Sequence, residues 1–207
     1  MDFTINKFCL SPSDCNSYLL SNGDNAIAID FGLGAKAMAN RQPGLRAVFL
    51  THGHADHIAS LGLLAEKSPS TQVFIAQEDA PYLLEPKLNL SRELSLGPLS
   101  FEGLNPYLLE DGDEISLPGF RVKCLSTPFH TPGSMCFLIG DCLFTGDSLF
   151  HLGVGRSDLP GGDEGSRLSS LRKIASLPGK TRFYPGHGKG GTLEDEFSYS
   201  PYLRLLN

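Results

Sequence analysis

The sequence predicts an α/β or α+β domain on three observations. Short apolar runs stop at turn residues, a few stretches with helical spacing fall between them, and the composition has no extremes. The 207 residues are 41% apolar and 19% charged, with 23 Gly and 14 Pro. That composition excludes a coiled coil, a collagen-like repeat and a disordered polyelectrolyte. A folded chain of this length hides on the order of 70% of the surface its unfolded form exposes. One domain over residues 1–207 is therefore expected, with a core that needs no disulfide staples.

Strands are expected where β-rich apolar runs end at turn residues. In the first half these are residues 3–10, 17–21 and 26–31, the last meeting the Gly32-Leu33-Gly34 turn, followed by 46–51 and 72–76. Helical spacing marks 35–41, 58–67 and 78–84. Residues 86–105 carry Pro86, Pro98, two glycines and scattered leucines without a clean period. They read as a long excursion, a lid candidate that divides the chain into halves. The second half offers strands at 114–117, 120–126, 135–139, 142–145 and 181–184, with a helix over 163–176 between the last two. Thr192 and Asp195 form an S/T-x-x-D/E capping box that starts a short helix running towards Tyr199.

Lys and Arg total 17 against 23 Asp and Glu, a net charge of −6. No basic tract is present to neutralise a run of phosphates, so no nucleic-acid partner is expected. Cys9, Cys15, Cys124, Cys136 and Cys142 form an odd set without a C-x-x-C pair. They fit neither a closed disulfide framework nor a zinc ribbon, and read as buried free thiols in a reducing cytosol. The first residues lack the basic region and apolar run of a secretory signal, and no stretch approaches 18 consecutive apolar residues. A cytoplasmic protein with no membrane partner is expected.

The chemistry is concentrated in Thr51-His52-Gly53-His54-Ala55-Asp56-His57, directly after a predicted strand, in a chain with six histidines. At this chain's own residue frequencies an H-x-H-x-D-H match has a chance probability of roughly 3 in 10,000. Four such side chains within six residues do not all reach one tetrahedral ion, because a tight loop points them in more than one direction. Two adjacent ions use them better. His52 and His54 then serve one ion and Asp56 and His57 a second, with further ligands from other loops. His130 in Thr127-Pro128-Phe129-His130-Thr131-Pro132-Gly133-Ser134, Asp147 in Phe144-Thr145-Gly146-Asp147 and His187 in Tyr184-Pro185-Gly186-His187-Gly188 each follow a predicted strand. Loops there, stiffened by Gly and Pro, are where rigid scaffolds place functional groups. Taken singly each would read as a hydrogen-bonded structural residue; as an ensemble they read as ligands. His151 has no such company and is expected not to be one.

At these residues the chain resembles the metallo-beta-lactamase superfamily, from about Asn16 to Tyr202. The resemblance implies a four-layer αββα sandwich of two mixed β-sheets flanked by helices, each half supplying one sheet, with the site at their shared edge. It also implies that a first metal takes His52, His54 and His130, a second takes Asp56, His57 and His187, and Asp147 bridges them. Asp30 matches the family's early Asp, which supports the metal loop from behind its ligands. The segments around His130, Asp147 and His187 are similar to the hydroxyacylglutathione hydrolase (glyoxalase II) group. The closest style is its small single-domain branch, where G-R-S/T-D-x-P-G-G-D is typical. This chain has Gly155-Arg156-Ser157-Asp158-Leu159-Pro160-Gly161-Gly162-Asp163.

Three departures from that group carry expectations. Phe129 stands where the group usually has Gly, which narrows the pocket or adjusts the loop. The chain ends 20 residues after His187, so the C-terminal helical domain with which two-domain relatives help grip glutathione is expected to be absent. Arg156 lies where those hydrolases place a cationic substrate contact, with Asp158 replacing their neighbouring aromatic residue. Arg156 reads either as a contact for an anionic substrate or as half of an ion pair with Asp158 that shapes the loop.

Two divalent ions, Zn2+ first with iron or manganese as alternatives, are the expected cofactors. With Asp56, Asp147, a bridging hydroxide and neutral imidazoles the site sums to about +1 and favours an anion. Coordination lowers the pKa of bound water towards about 7, so a metal-bound hydroxide needs no separate general base. Asp56 and Asp147 are the expected catalytic carboxylates, Asp56 also able to shuttle protons. Thiols have pKa near 8.5, so a thiolate leaves without the strong acid that an amide nitrogen needs. Hydrolysis of a small-molecule thioester such as S-lactoylglutathione is therefore expected ahead of β-lactam turnover. The alternative is a mononuclear iron persulfide dioxygenase, which the H-x-H-A-D-H-I and G-R-S/T-D runs also resemble. There His52, His130 and Asp147 would hold the metal and His54, Asp56, His57 and His187 would surround it. The Y-P-G-H-G run at His187 favours the hydrolase. The acidic balance argues against a nuclease, and the presence of every ligand position argues against a non-catalytic scaffold.

Overall fold

The computed structural model describes residues 3–11, 14–39, 44–204 and 206. Among them the first half builds β1 (Thr4–Phe8), β2 (Ser17–Asn22), β3 (Asn25–Ile29), β4 (Leu45–Phe49), β5 (Gln72–Ala76) and β6 (Tyr107–Leu109) into one sheet, in that order. The second half builds β7 (Glu114–Leu117), β8 (Phe120–Ser126), β9 (Met135–Ile139), β10 (Cys142–Gly146), β11 (Arg182–Pro185) and β12 (Gly191–Thr192) into another. In the first sheet β1, β2 and β3 pair antiparallel, and β3 to β6 run parallel. In the second, β7 to β10 are antiparallel, β11 lies parallel to β10, and β12 is antiparallel to β11. Both sheets are thus mixed, as expected.

Period-two alternation decides where the core sits. Ile27, Ile29 and Phe49 of the first sheet face Phe137, Ile139 and Phe144 of the second, forming the layer between them. Phe49 stacks on Phe74 at 4.6 Å and meets the Phe137 ring edge-on at 5.4 Å. The intervening Ala26, Ala28 and Val48 turn outwards, where Ala35, Met38, Ile58 and Leu64 cover them. These come from a 3-10 turn (Leu33–Ala35) and three short helices, α1 (Lys36–Ala39), α2 (Ala55–Ile58) and α3 (Gly62–Lys67). On the other face α4 (Glu164–Ala175) and α5 (Leu193–Tyr199) bring Leu171, Ile174 and Leu193 against Cys136, Leu143 and Phe183. The four layers are the αββα sandwich that the family resemblance implies.

Differences from the expected elements have local causes. Residues 58–67 do not form one helix, because the Ser60 N–H donates to the Phe31 carbonyl at 2.9 Å instead of continuing a helical ladder. The expected helix over 78–84 is a 3-10 segment (Gln77–Leu83) with Pro81 inside it, which has no N–H to give. The expected helix over 35–41 splits into the 3-10 turn and α1, and its residues 40 and 41 lie outside the described ones. The halves meet after residue 109 rather than within 86–105, since β6 returns to pair with β5. The excursion contains no strand or regular helix and is pinned by buried Asn89. The Asn89 side-chain amide donates to the Tyr82 and Leu99 carbonyls, and the Asn89 backbone carbonyl accepts from the Ala55 N–H. The Thr192 capping box forms as expected: Thr192 Oγ1 accepts from the Asp195 N–H at 3.2 Å. All five cysteines are free, but Cys9 is exposed rather than buried. No helix among the described residues is long and apolar enough to cross a membrane.

Candidate metal centre

The parallel runs bring the functional loops to one edge. Asp30 follows β3 and the His52–His57 loop follows β4, while His130, Asp147 and His187 follow β8, β10 and β11, which run parallel to one another in the second sheet. Ligand sites in open α/β sheets favour this carboxyl edge. The edges are tied across the sandwich by the Met135 N–H donating to the Thr51 carbonyl at 2.8 Å and the Asn16 N–H donating to the Gly186 carbonyl at 2.6 Å.

All seven expected ligands are gathered there. His52, His54 and His130 form one group, Asp56, His57 and His187 a second, and Asp147 joins His52 and His57 in a third. Within each group the potential donor atoms lie within 4.8 Å of one another. Asp147 spans the two sides, with Oδ2 3.4 Å from His130 Nε2 and Oδ1 3.4 Å from His57 Nε2. Asp56 Oδ2 lies 3.1 Å from His187 Nε2. Gly186 permits this crowding, because a Cβ there would run into Asp147 Oδ1 and lie 2.7 Å from His57 Cε1.

Hydrogen bonding outside the cluster sets the tautomers. His130 Nδ1 lies 2.8 Å from the Arg156 carbonyl, an acceptor only, so it carries the proton. His57 Nδ1 donates to Asp30 Oδ2 at 2.8 Å. Thr51 Oγ1 has one proton, spent on the Asp30 carboxylate at 2.9 Å, so His52 Nδ1, 3.1 Å away, donates to that oxygen. Each ring thus turns Nε2 into the cluster. Burial opposes protonation of His57, but Cys15, Asp30, Asp56 and Asp147 outweigh it and raise it well above the usual imidazole range, so an ion there would displace a proton. Asp30 also accepts from the Thr51 N–H at 2.8 Å and sits at φ +57°, a left-handed conformation that Asp tolerates and that occurs at functional turns. It thus supports the metal loop through Thr51 and His57, the role the resemblance implies. His54 presents Nδ1 to His130 Nε2 at 3.0 Å.

These residues fit a divalent ion. Nε2 of His52, His54 and His57 and Oδ1 of Asp147 are buried without a hydrogen-bond partner. An orphaned buried polar atom costs on the order of 1–3 kcal/mol, and shared cations satisfy imidazole and carboxylate lone pairs together. Burial, then repulsion from His57 and His54, holds His52 well below the ordinary imidazole range. Burial, then His130, pushes His54 down to about 3. Both rings keep free lone pairs instead of protons. Burial opposes ionisation of Asp147, but neighbouring His57, His130 and His187 outweigh it and hold the carboxyl well below its usual range. Asp56 is lowered in the same way, burial being overcome by His57 and His187.

A cleft of about 480 Å³ opens on His54, Asp56, His130, Asp147 and His187. Leu90 and Leu94 of the excursion, with Phe150 and Leu159, wall it, and Glu93 and Arg156 complete its lining. A cleft of about 610 Å³ between α3 and the Ser100–Asn105 segment gathers no histidine and no cation. Arg156 Nε and Nη2 donate to the two Asp158 oxygens at 2.6 and 2.7 Å, with both side chains largely exposed. Phe129 is wholly buried and does not narrow the cleft; its carbonyl accepts from the Asp163 N–H at 2.8 Å. His151 stands apart from the cluster and pairs with buried Glu196 at 3.0 Å. Two supporting residues escaped the sequence reading. Asn16 donates to the Pro185 and Gly188 carbonyls on either side of His187, and Asp79 is buried beneath the His54 and His130 loops.

Comparison with known proteins agrees with this arrangement. The chain is 32% identical over 202 residues to the probable metallo-hydrolase YqgX of Bacillus subtilis, covering 94% of each. It is 29% identical over 194 residues to the hydroxyacylglutathione hydrolase GloC of Haemophilus influenzae, covering 90% of this chain and 91% of the relative. Among solved structures, the BLEG-1 B3 metallo-beta-lactamase superposes with a TM-score of 0.88 at 32% identity, covering 97% of this chain and 99% of that one. A di-iron-bound form of TTHA1623 gives 0.80 at 34% identity, covering 96% and 100%. Residues 10–187 match the sequence model of one family, and with the sandwich and the histidine cluster at its edge this places the chain in the metallo-beta-lactamase superfamily.

Proposed function

We propose that this protein is a metal-dependent hydrolase that cleaves a small-molecule thioester such as S-lactoylglutathione. The observation that carries the proposal is the convergence of seven donors from both sheets on one edge, several of them with buried atoms that have no hydrogen-bond partner among the described residues and that a cation would satisfy. His52, His54 and His130 would hold one divalent ion, Asp56, His57 and His187 a second, and Asp147 would face both, with Zn2+ the first choice. Bound there, the ions supply a water of lowered pKa as nucleophile and positive charge for the carbonyl oxygen.

The chain's own residues do the rest. Leu90, Leu94, Phe150 and Leu159 receive the apolar part of the substrate and thin out water around the carbonyl. Asp56, held ionised by His57 and His187 against burial, would take and return a proton on the carboxylate oxygen that the ion leaves free. A thiol with pKa near 8.5 leaves as the anion, so no stronger acid is needed. Arg156 is the cation in the cleft lining. Its exposed pair with Asp158 exchanges readily in water, which frees the guanidinium for a substrate carboxylate. The likeness to GloC supports a thioester substrate.

A single-iron dioxygenase built on His52, His130 and Asp147 would leave unused the second group, Asp56, His57 and His187, whose donor atoms lie within 4.8 Å of one another, and this favours the two-ion hydrolase. The discriminating assay supplies zinc- and iron-loaded protein with S-lactoylglutathione, read by thioester absorbance, and with glutathione persulfide, read by oxygen uptake. Hydrolysis that is lost in Asp147→Ala, without oxygen uptake, is the expected result. Oxygen uptake without hydrolysis would replace the proposal with the dioxygenase.

A further inference from the structure

We propose that Asp79 is the positioning residue for one ion subsite only, holding His52, His54 and His130 in place by stapling together the two loops that carry them. Asp79 is wholly buried on the 3-10 segment after β5 and belongs to none of the candidate ligand groups. Its Oδ2 accepts from the Gly53 N–H at 2.8 Å, between His52 and His54, and from Thr131 Oγ1 at 2.8 Å, next to His130. Its Oδ1 accepts from the Gly133 N–H at 2.7 Å. One carboxylate therefore fixes the separation of two loops that belong to opposite sheets.

The surroundings leave little freedom for that separation to change. A Cβ at Gly133 would lie 2.7 Å from Asp79 N and Oδ1, and one at Gly53 would run into the Tyr82 Cβ. Tyr82, on the same 3-10 segment, sets its ring edge-on to His54 at 5.9 Å. Asp79 accepts from three donors, none of them charged. A buried carboxylate so placed is costly unless a positive charge lies close by, and an ion on His54 and His130 supplies one. The bonds of Asp79 reach neither Asp56, His57 nor His187; the His57 side is held instead by Asp30. Asp30 also reaches His52 through Thr51, whereas the bonds of Asp79 serve the His52, His54 and His130 side alone.

This inference rests on the proposed metal centre, and metal binding by the full chain separates the two. Metal-free protein is titrated with Co2+, followed by visible d–d absorption and by ions retained per chain after dialysis. His54→Ala identifies the binding class that belongs to the His52, His54 and His130 subsite. Asp79→Asn keeps the side-chain size but sets an N–H donor against backbone donors. It is expected to weaken that class by about 10–100-fold and shift its d–d band, leaving the other class at wild-type affinity. Thr131→Val removes one of the three bonds and should weaken the same class by a smaller factor. Folded Asp79→Asn with both classes intact, or with both weakened equally, overturns the inference. If Asp79→Asn fails to fold, unchanged binding in Thr131→Val overturns it. Wild-type protein that binds no Co2+ overturns the metal centre and this inference together.

Discussion

His52, His57 and His130 illustrate how the second nitrogen of a histidine aims the first. Each commits Nδ1–H to Thr51, Asp30 or the Arg156 carbonyl, so Nε2 is aimed into the cluster before any ion arrives. Two substitutions test this scale. Gly186→Ala would push a methyl group into Asp147 Oδ1 and His57, and should lower metal affinity at least 10-fold without unfolding the chain, as measured by dialysis and circular dichroism. Arg156→Ala separates the two roles available to that side chain while keeping the carbonyl that orients His130. KM for S-lactoylglutathione should rise about 10-fold at nearly constant kcat, whereas an unchanged KM would leave only the pair with Asp158. At this scale the ligands were legible in the sequence because they crowd into one loop and three Gly- and Pro-bounded turns. Asp79 was not. It follows Glu78 in a helix-like run, and its bonds to Gly53 and Gly133, 26 and 54 residues away, go to backbone groups that leave no mark on composition.

Among the elements, legibility followed local pattern. β5, β7, β8 and β9 have the boundaries expected from apolar alternation and turn residues. The Thr192 box starts α5, where side-chain and backbone signals agree. β6 was missed because it has three residues after Pro106, with Tyr107 and Leu108 about half exposed, and owes its existence to long-range pairing with β5. The break between α2 and α3 was missed for the same reason, since its cause is the Phe31 carbonyl. Capping gives the test at this scale. Thr192→Ala should cost about 1 kcal/mol in urea unfolding while leaving metal binding unchanged, because α5 packs on the outer face of the second sheet. By contrast, Phe49→Ala opens the layer between the sheets and should cost about 3–5 kcal/mol.

For the whole molecule, joining two sheets at one carboxyl edge creates a centre in which His52 and His54 must remain neutral. His54 titrates near 3 in the folded chain against 6.5 in the unfolded one, and His52 is lowered likewise by burial. Below pH 6.5 the unfolded state therefore binds more protons than the folded state, and stability falls with acidification down to about pH 3. Lowered Asp56 and Asp147 add to the loss below the carboxylate range. His187 is raised, with Asp56 and Asp147 overcoming burial. Its stabilising contribution is complete below 6.5 and is lost as pH rises through its folded pKa, so it does not offset the acid loss. Metal-free protein should show a lower urea midpoint at pH 4.5 than at pH 7, and added Zn2+ should raise the midpoint at pH 7.

The most direct test of the central claim titrates metal-free protein with Zn2+ and reads ions bound per chain and S-lactoylglutathione hydrolysis in the same samples. Turnover should be absent without metal, reach its maximum as two ions per chain bind, and stay absent in Asp147→Ala at any zinc level. Full turnover by the metal-free chain, or by Asp147→Ala, would contradict a metal centre built from these seven residues.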